Sequence, residues 1–226
     1  MADVVVSGQY RPQSVKNSVY QVRVINNERI RLSSAVSVQQ VLNTQSGFRF
    51  TTDNTLGTTD VQLMGMKGRN VKILLDGVPV ADRGDTRESL NQVDINSIER
   101  IEIVEGPMSV IFGSDALVGV INIITKKRTK ENLAVFAKVQ EETAGSEYHP
   151  FNYKGIHTQN IGVSYKKNNW IFNTGGTHND ASGFGGDAYG RGKGWLPKEQ
   201  WFGNVKLGYN NNHLNIYYRL DGLNEI

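Results

Sequence analysis

Four histidines, His149, His157, His178 and His213, are the side chains best suited to metal ligation or proton transfer. None stands three or four residues from another, so no helical metal site is written here. The absence of cysteine excludes disulfides, thiolate metal sites and a thiol nucleophile. Gly183-Phe184-Gly185-Gly186-Asp187-Ala188 has the spacing of a dinucleotide fingerprint, but no strand, turn and helix surround it. Gly192-Lys193 is followed by Gly194 instead of Ser or Thr, so it fails as a phosphate loop. Asp82 and Asp85 flank Arg83-Gly84, and a solvated turn accounts for them better than a calcium loop. No Ser-His-Asp order and no paired carboxylates stand out. The expectation is a protein that is not an enzyme, with no catalytic residues, no metal site and no covalently bound cofactor.

Composition narrows the class. The chain has 226 residues, with 25 Lys plus Arg against 22 Asp plus Glu, a net charge of +3. That balance argues against a dedicated nucleic-acid binder. Hydrophobic residues make up 38%, too many for a disordered chain. No apolar run approaches the ~18 residues of a transmembrane helix, which excludes a helical membrane protein but not a β-barrel. Met1 to Ser7 carries no basic segment and no apolar core, so no signal peptide is expected within this chain.

The elements that would position any site change character near residue 130. Only Tyr10, Tyr20, Phe48, Phe50 and Phe112 are aromatic before it, whereas all three tryptophans and all four histidines follow it. The basic run Lys126-Lys127-Arg128-Thr129-Lys130 reads as a solvated linker. Upstream, strand patterns at 19–25, 71–75, 98–104 and 118–125 mix with a short helix capped by Ser37 through Val38, Val41 and Leu42. Asp76-Gly77 is a turn signal. Downstream, about five strands of roughly ten residues alternate apolar and polar, as in a transmembrane barrel. The alternatives there are a soluble meander or sandwich. Connections at 166–169 and 210–212 are short, and those at 144–155 and 179–200 are long. The long and short connections are expected at opposite edges.

One segment is far more specific. Ile98-Glu99-Arg100-Ile101-Glu102, Gly106-Pro107, Ser109, Phe112-Gly113-Ser114, Ala116 and Gly119-Val120-Ile121-Asn122-Ile123-Ile124-Thr125 follow one another in order. This run resembles the end of the plug domain of TonB-dependent outer-membrane receptors. The stretch Met64-Gly65-Met66 through Val71-Lys72-Ile73-Leu74-Leu75-Asp76-Gly77-Val78-Pro79 resembles a second plug motif, with Met64 where the family usually has Arg. Asp3-Val4-Val5-Val6-Ser7 resembles the TonB box, the energy-coupling segment.

The resemblance implies an α+β plug domain over residues 1–128, with its TonB box, followed over 129–226 by the first strands of an antiparallel transmembrane β-barrel. Five strands cannot close the family's barrel, so a longer receptor is expected. The plug motif residues are Arg100, Glu102, Gly106, Pro107, Gly113, Gly119 and Asn122. Gly113 and Gly119 are expected at tight turns beside an enclosing wall. Glu99, Arg100, Glu102 and Glu105 are expected to face the polar inner wall of the barrel, or, on their residues alone, to sit on an exposed edge strand. The loops at 48–60 and 82–88 are expected at the plug apex. Ligand contacts are assigned to Phe50, Asp53, Asn54, Asp82, Arg83, Asp85, His149 and His178. The implied function is TonB-energised uptake, in the outer membrane of a Gram-negative bacterium, of an iron chelate, haem or cobalamin. TonB, outer-membrane lipid and a surface lipoprotein are the implied partners, with no nucleic acid. A non-transporting sensor or binding module on the plug fold is the alternative.

Overall fold

The structure, a computed structural model of the chain, describes residues 5–6, 13–14, 20–53, 58–81, 88–107, 109–126, 132–143, 148–151, 153–181, 198–211 and 213–226. The chain separates into two compact units, Met1–Lys126 and Lys127–Ile226.

In the first unit, β1 (Val5–Val6) pairs antiparallel with β2 (Gln13–Ser14). Then come β3 (Gln21–Asn26), α1 (Asn27–Leu32), α2 (Val38–Asn43), β4 (Phe48–Asp53), β5 (Thr58–Leu63) and β6 (Met66–Lys67). They are followed by β7 (Val71–Leu75), β8 (Val78–Pro79), β9 (Ile98–Glu105), α3 (Ser109–Phe112) and β10 (Gly119–Thr125). The main sheet has the order β3-β9-β10-β7-β8, and only the β10–β7 pair is parallel. Ser37 caps α2, its hydroxyl accepting from Gln40 N, and Val38, Val41 and Leu42 form the buried stripe. That stripe shares a core with Ile25, Ile101, Ile103, Ile121 and Ile123 of the sheet and Leu63 of the β4-β5-β6 hairpin sheet. Leu42 is wholly buried there, and its truncation to Ala should cost about 2–5 kcal/mol. Asp76 and Gly77, both at positive φ, turn β7 into β8.

Three expectations are corrected. Residues 48–60 are not simply a loop: β4 and β5 pair, with Phe48 opposite Leu63 and Phe50 opposite Val61, because the apolar alternation at both ends selects a hairpin. β9 is not an edge strand; it lies between β3 and β10, and Glu102 and Glu105 are buried on it. Gly119 is not at a turn but inside a fully buried strand. The helix α1, with only Ile30 buried, had no counterpart in the sequence pattern.

In the second unit, β11 (Leu133–Glu142), β12 (Ile156–Lys167), β13 (Trp170–Ala181), β14 (Lys198–Asn210) and β15 (Asn215–Glu225) pair consecutively and antiparallel. The strand ends at 167 and 170 and at 210 and 215 lie at one edge of the sheet, and those at 142 and 156 and at 181 and 198 at the other. Register places the side chains in rows. One face carries Leu133, Tyr165, Phe172, Leu207 and Tyr218 in one row and Val135, Val163, Thr174, Val205 and Leu220 in the next. Val135 is 64% exposed, Ile161 61% and Tyr218 68%. The opposite face holds Thr158, Asn160, Ser164, Thr177, Asn179 and Lys206, all buried. A water-soluble meander or sandwich does the reverse, so the exposed apolar face identifies the wall of a membrane barrel. No helix among the described residues is long and apolar enough to cross a membrane.

Candidate functional site

The plug motif becomes a connected polar seam across the main sheet. Glu102 accepts from Arg100 Nε at 2.9 Å and from Asn122 Nδ2 at 3.2 Å. Asn122 Oδ1 in turn accepts from Gly77 N at 3.0 Å, tying β10 to the β7–β8 turn. Beside it, Asp76 accepts from Thr125 N at 2.9 Å and Thr125 Oγ1 at 2.6 Å. A buried carboxylate is tolerable only when charge and hydrogen bonds compensate it, and Arg100 supplies both to Glu102. Arg23 of β3 does the same for Glu105 and also donates to Ser46 O at 2.8 Å. Arg23 was not among the expected site residues; it lies on a strand distant in sequence, and no local pattern marks it.

The glycines follow from this close packing. A Cβ on Gly119 would lie 2.4 Å from Val104 O, so β9 and β10 approach there only because residue 119 has none. Gly106 N donates to Val118 O at 2.8 Å as β9 ends before Pro107. Gly113, at φ +93°, turns the chain after α3. Lys72 Nζ donates to Asp115 at 2.8 Å and holds that carboxyl below the ordinary aspartate range. Met64 sits at positive φ with an exposed side chain.

The expected ligand contacts are scattered. Phe50 is half-buried on β4, stacked on Phe48 and packed against the core. Asp53 ends β4. Asn54, Asp82, Arg83 and Asp85 lie outside the described residues, as do Asp3, Val4 and Ser7 of the expected box. His149 is exposed on the first long connection. His178 stands on the apolar face of the second sheet, stacked on Trp201 at 3.9 Å, and contacts Gln159 and Glu199 at 2.8 and 3.0 Å. No group of three or more His, Asp or Glu able to hold a metal occurs among the described residues.

A second cluster, absent from the expectations, gathers where β11 leaves the sheet. Glu141 Oε2 lies 2.6 Å from His157 Nδ1 and accepts from Phe151 N at 3.1 Å and Tyr148 Oη at 3.3 Å. The sequence signal was the pair of a carboxylate and a histidine flanking an aromatic-rich connection. Only the register, which sets Glu141 opposite His157, brings them together.

An α+β domain carrying this seam is followed along the chain by a five-stranded antiparallel sheet with an exposed apolar face, the order of elements in a plug and the first wall of a barrel. Residues 14–120 match the family described as TonB-dependent Receptor Plug Domain, and the first unit is a plug domain of that family. The vitamin B12 transporter BtuB of Photobacterium profundum is 30% identical over 142 residues, 63% of this chain and 22% of that protein. The iron-regulated outer membrane virulence protein of Vibrio cholerae is 32% identical over 161 residues, 66% of this chain and 24% of that protein. The crystal structure of the siderophore receptor PirA from Acinetobacter baumannii has the same fold, with a TM-score of 0.73 and 24% identity, over 93% of this chain and 32% of that one. The chain therefore spans about a quarter of the length of the curated relatives it matches.

Proposed function

We propose that this chain is the plug and first barrel strands of an outer-membrane receptor that imports a scarce metal chelate under TonB energy. Its supporting observation is the conjunction of the ordered plug motif over 98–125 with a sheet that exposes its apolar face and buries its polar one. The ligand is of the iron-siderophore, haem or cobalamin class and binds from outside. The plug apex and the long connections supply the contacts, with Phe50, Asp53, Asn54, Asp82, Arg83, Asp85, His149 and His178 the assigned residues. A surface lipoprotein and outer-membrane lipid are the further partners. No covalent chemistry is required; binding energy and an external pull do the work.

The pull is applied at Asp3 to Ser7. Among the described residues, Val5 pairs with Ser14 and Val6 with Gln13, a two-residue ladder that offers little resistance to release. Once free, three consecutive valines favour the extended backbone that adds as a strand to the energy-coupling partner. Val5→Pro removes a backbone donor and restricts its neighbour. In cells displaying the intact receptor, with labelled ferric enterobactin, haemin and cyanocobalamin as probes, Val5→Pro should abolish uptake and leave surface binding nearly unchanged. Uptake at the wild-type rate would remove this segment from the mechanism. Parallel loss of binding and uptake would make it an ordinary structural strand.

A further inference from the structure

Two reversals of the second sheet, from β12 to β13 and from β14 to β15, flank a cleft of about 450 Å³. Ile171 lines it on the sheet side, as the cross-strand partner of Lys166. Alternation along the strands sets Lys166 and Asn210 on the polar face, the face of Lys206. Lys167, one residue further on, stands on the apolar face opposite Trp170.

The turns fix the walls. Asn211 Oδ1 accepts from His213 N at 2.9 Å and from Leu214 N at 2.7 Å, and Asn210 N donates to Asn169 O at 2.9 Å. The side-chain amides of Asn169 and Asn211 reach the Tyr209 hydroxyl from the two turns, at 3.5 and 3.4 Å. Those two asparagines are committed to structure. The side chains of Lys166, Asn168, Asn210 and His213 make no hydrogen bond or ion pair with any described residue.

The cleft thus offers one cation, one imidazole and two free amides beside an apolar surface. A lysine ammonium and a ring N–H donate to an anionic oxygen. A primary amide donates and accepts at once, which is what a hydroxyl asks of its partner. No carboxylate lines the cleft to repel an anion. Small-molecule sites combine a volume of this order with a few convergent polar groups, and this volume exceeds what a bare phosphate fills.

We propose that this cleft binds a polyol phosphate, with Lys166 and His213 holding the phosphate and Asn168 and Asn210 the hydroxyls. A free glycerol phosphate and the glycerophosphate headgroup of a lipid share that chemistry. None of these four residues is an assigned contact of the imported chelate, so the site stands apart from the uptake reading.

The test uses the intact receptor purified in detergent. Binding of glycerol 3-phosphate and of inorganic phosphate is read by ligand-detected NMR. Retention of phosphatidylglycerol against phosphatidic acid, which lacks the polyol, is read by native mass spectrometry. Lys166→Gln should weaken glycerol 3-phosphate about tenfold, whereas Lys167→Gln on the opposite face should leave it unchanged. Asn210→Asp sets a carboxylate beside the phosphate and should weaken it by a similar factor. Asn168→Gly with Asn210→Ala should abolish the preference for glycerol 3-phosphate over inorganic phosphate; glycine keeps the φ of +53° at 168 without strain. Unchanged thermal midpoints in these variants show the sheet intact. Binding of the free probe with this pattern assigns the cleft to a soluble ligand. Selective retention of phosphatidylglycerol alone, lost in Lys166→Gln, assigns it to a lipid headgroup. Equal affinity for inorganic phosphate and glycerol 3-phosphate in wild type, equal effects of the two lysine variants, or binding of neither probe overturns the proposal.

Discussion

Gly119→Ala is the smallest change that tests why β9 and β10 lie where they do. The added methyl carbon would sit 2.4 Å from Val104 O and 3.4 Å from Glu105 Cα, both backbone positions that no rotamer change relieves. The strands must part until that contact exceeds 3.0 Å. The opening falls at the Gly119–Glu105 pair, where Gly106 N meets Val118 O at 2.8 Å and Val118 N meets Asn70 O at 3.0 Å. Every residue of β10 is buried, so water does not replace a lengthened bond. Overpacking costs about 1–3 kcal/mol and a weakened buried hydrogen bond about 1–3 more, against a gain below about 1 kcal/mol from replacing a strand glycine. A net loss of about 2 kcal/mol corresponds to about a thirtyfold fall in local exchange protection. The assay is hydrogen exchange read by mass spectrometry over 98–107 and 117–125, in the full chain in detergent. Gly203→Ala is the control: nothing lies within 4 Å of its Cβ position, so protection there should hold or rise slightly. Protection within threefold of wild type in Gly119→Ala, or an equal fall in Gly203→Ala, refutes the reasoning.

Arg23→Met leaves the Glu105 carboxylate, 5% exposed, without its cation, and should lower the stability of the first unit by about 3 kcal/mol. Adding Glu105→Leu should recover most of that loss, as read from denaturant midpoints. Asp76→Ala should cost about 2 kcal/mol by releasing Thr125, whereas Asp76→Asn, which keeps an acceptor and tolerates positive φ, should cost less than about 1 kcal/mol by the same measure. Lys72 lowers the Asp115 pKa in the folded state, so their pairing stabilises above the ordinary aspartate value and is lost as pH falls through the lower, folded one. The stability difference between wild type and Lys72→Met should thus be level above the ordinary aspartate range and close as pH falls below it. A difference that persists at the acid end contradicts this assignment.

Local chemistry wrote part of the first unit plainly. Ser37 before Val38, Val41 and Leu42 specifies a capped helix, and Asp76-Gly77 specifies a tight turn, because each needs only neighbours along the chain. The hairpin of β4 and β5 was legible only at its ends, in Phe48 and Phe50 and in Val61 and Leu63. Its Thr- and Asp-rich middle gains strand geometry from cross-strand pairing, which polar composition conceals. α1 fails for the same physical reason: Ile30 alone is buried, so no periodicity betrays it. The buried acids of β9 were beyond local reasoning altogether. What makes Glu105 tolerable is Arg23 on a strand brought alongside by the sheet order, and sequence spacing carries no trace of that.

The second unit reverses the balance. Each strand's alternation is a weak signal, equally open to a soluble meander, and nothing local says which face meets solvent. Register resolves it, since it sets five apolar side chains abreast in a row and leaves them exposed, while threonine, asparagine and lysine fill the other face. The aromatic residues of the apolar face then fall in place: Trp170 and Tyr209 meet edge-on at 5.1 Å beside the short connections, and Trp201 stands at the long-connection end. Aromatic side chains at both ends of an aliphatic band are what an interface between lipid and water selects on either side of a membrane. The connections follow from the same geometry. Short turns suffice at the edge where strands merely reverse, and spare chain collects at the other, where Glu141 spends its hydrogen bonds on fixing a loop that the sheet does not require.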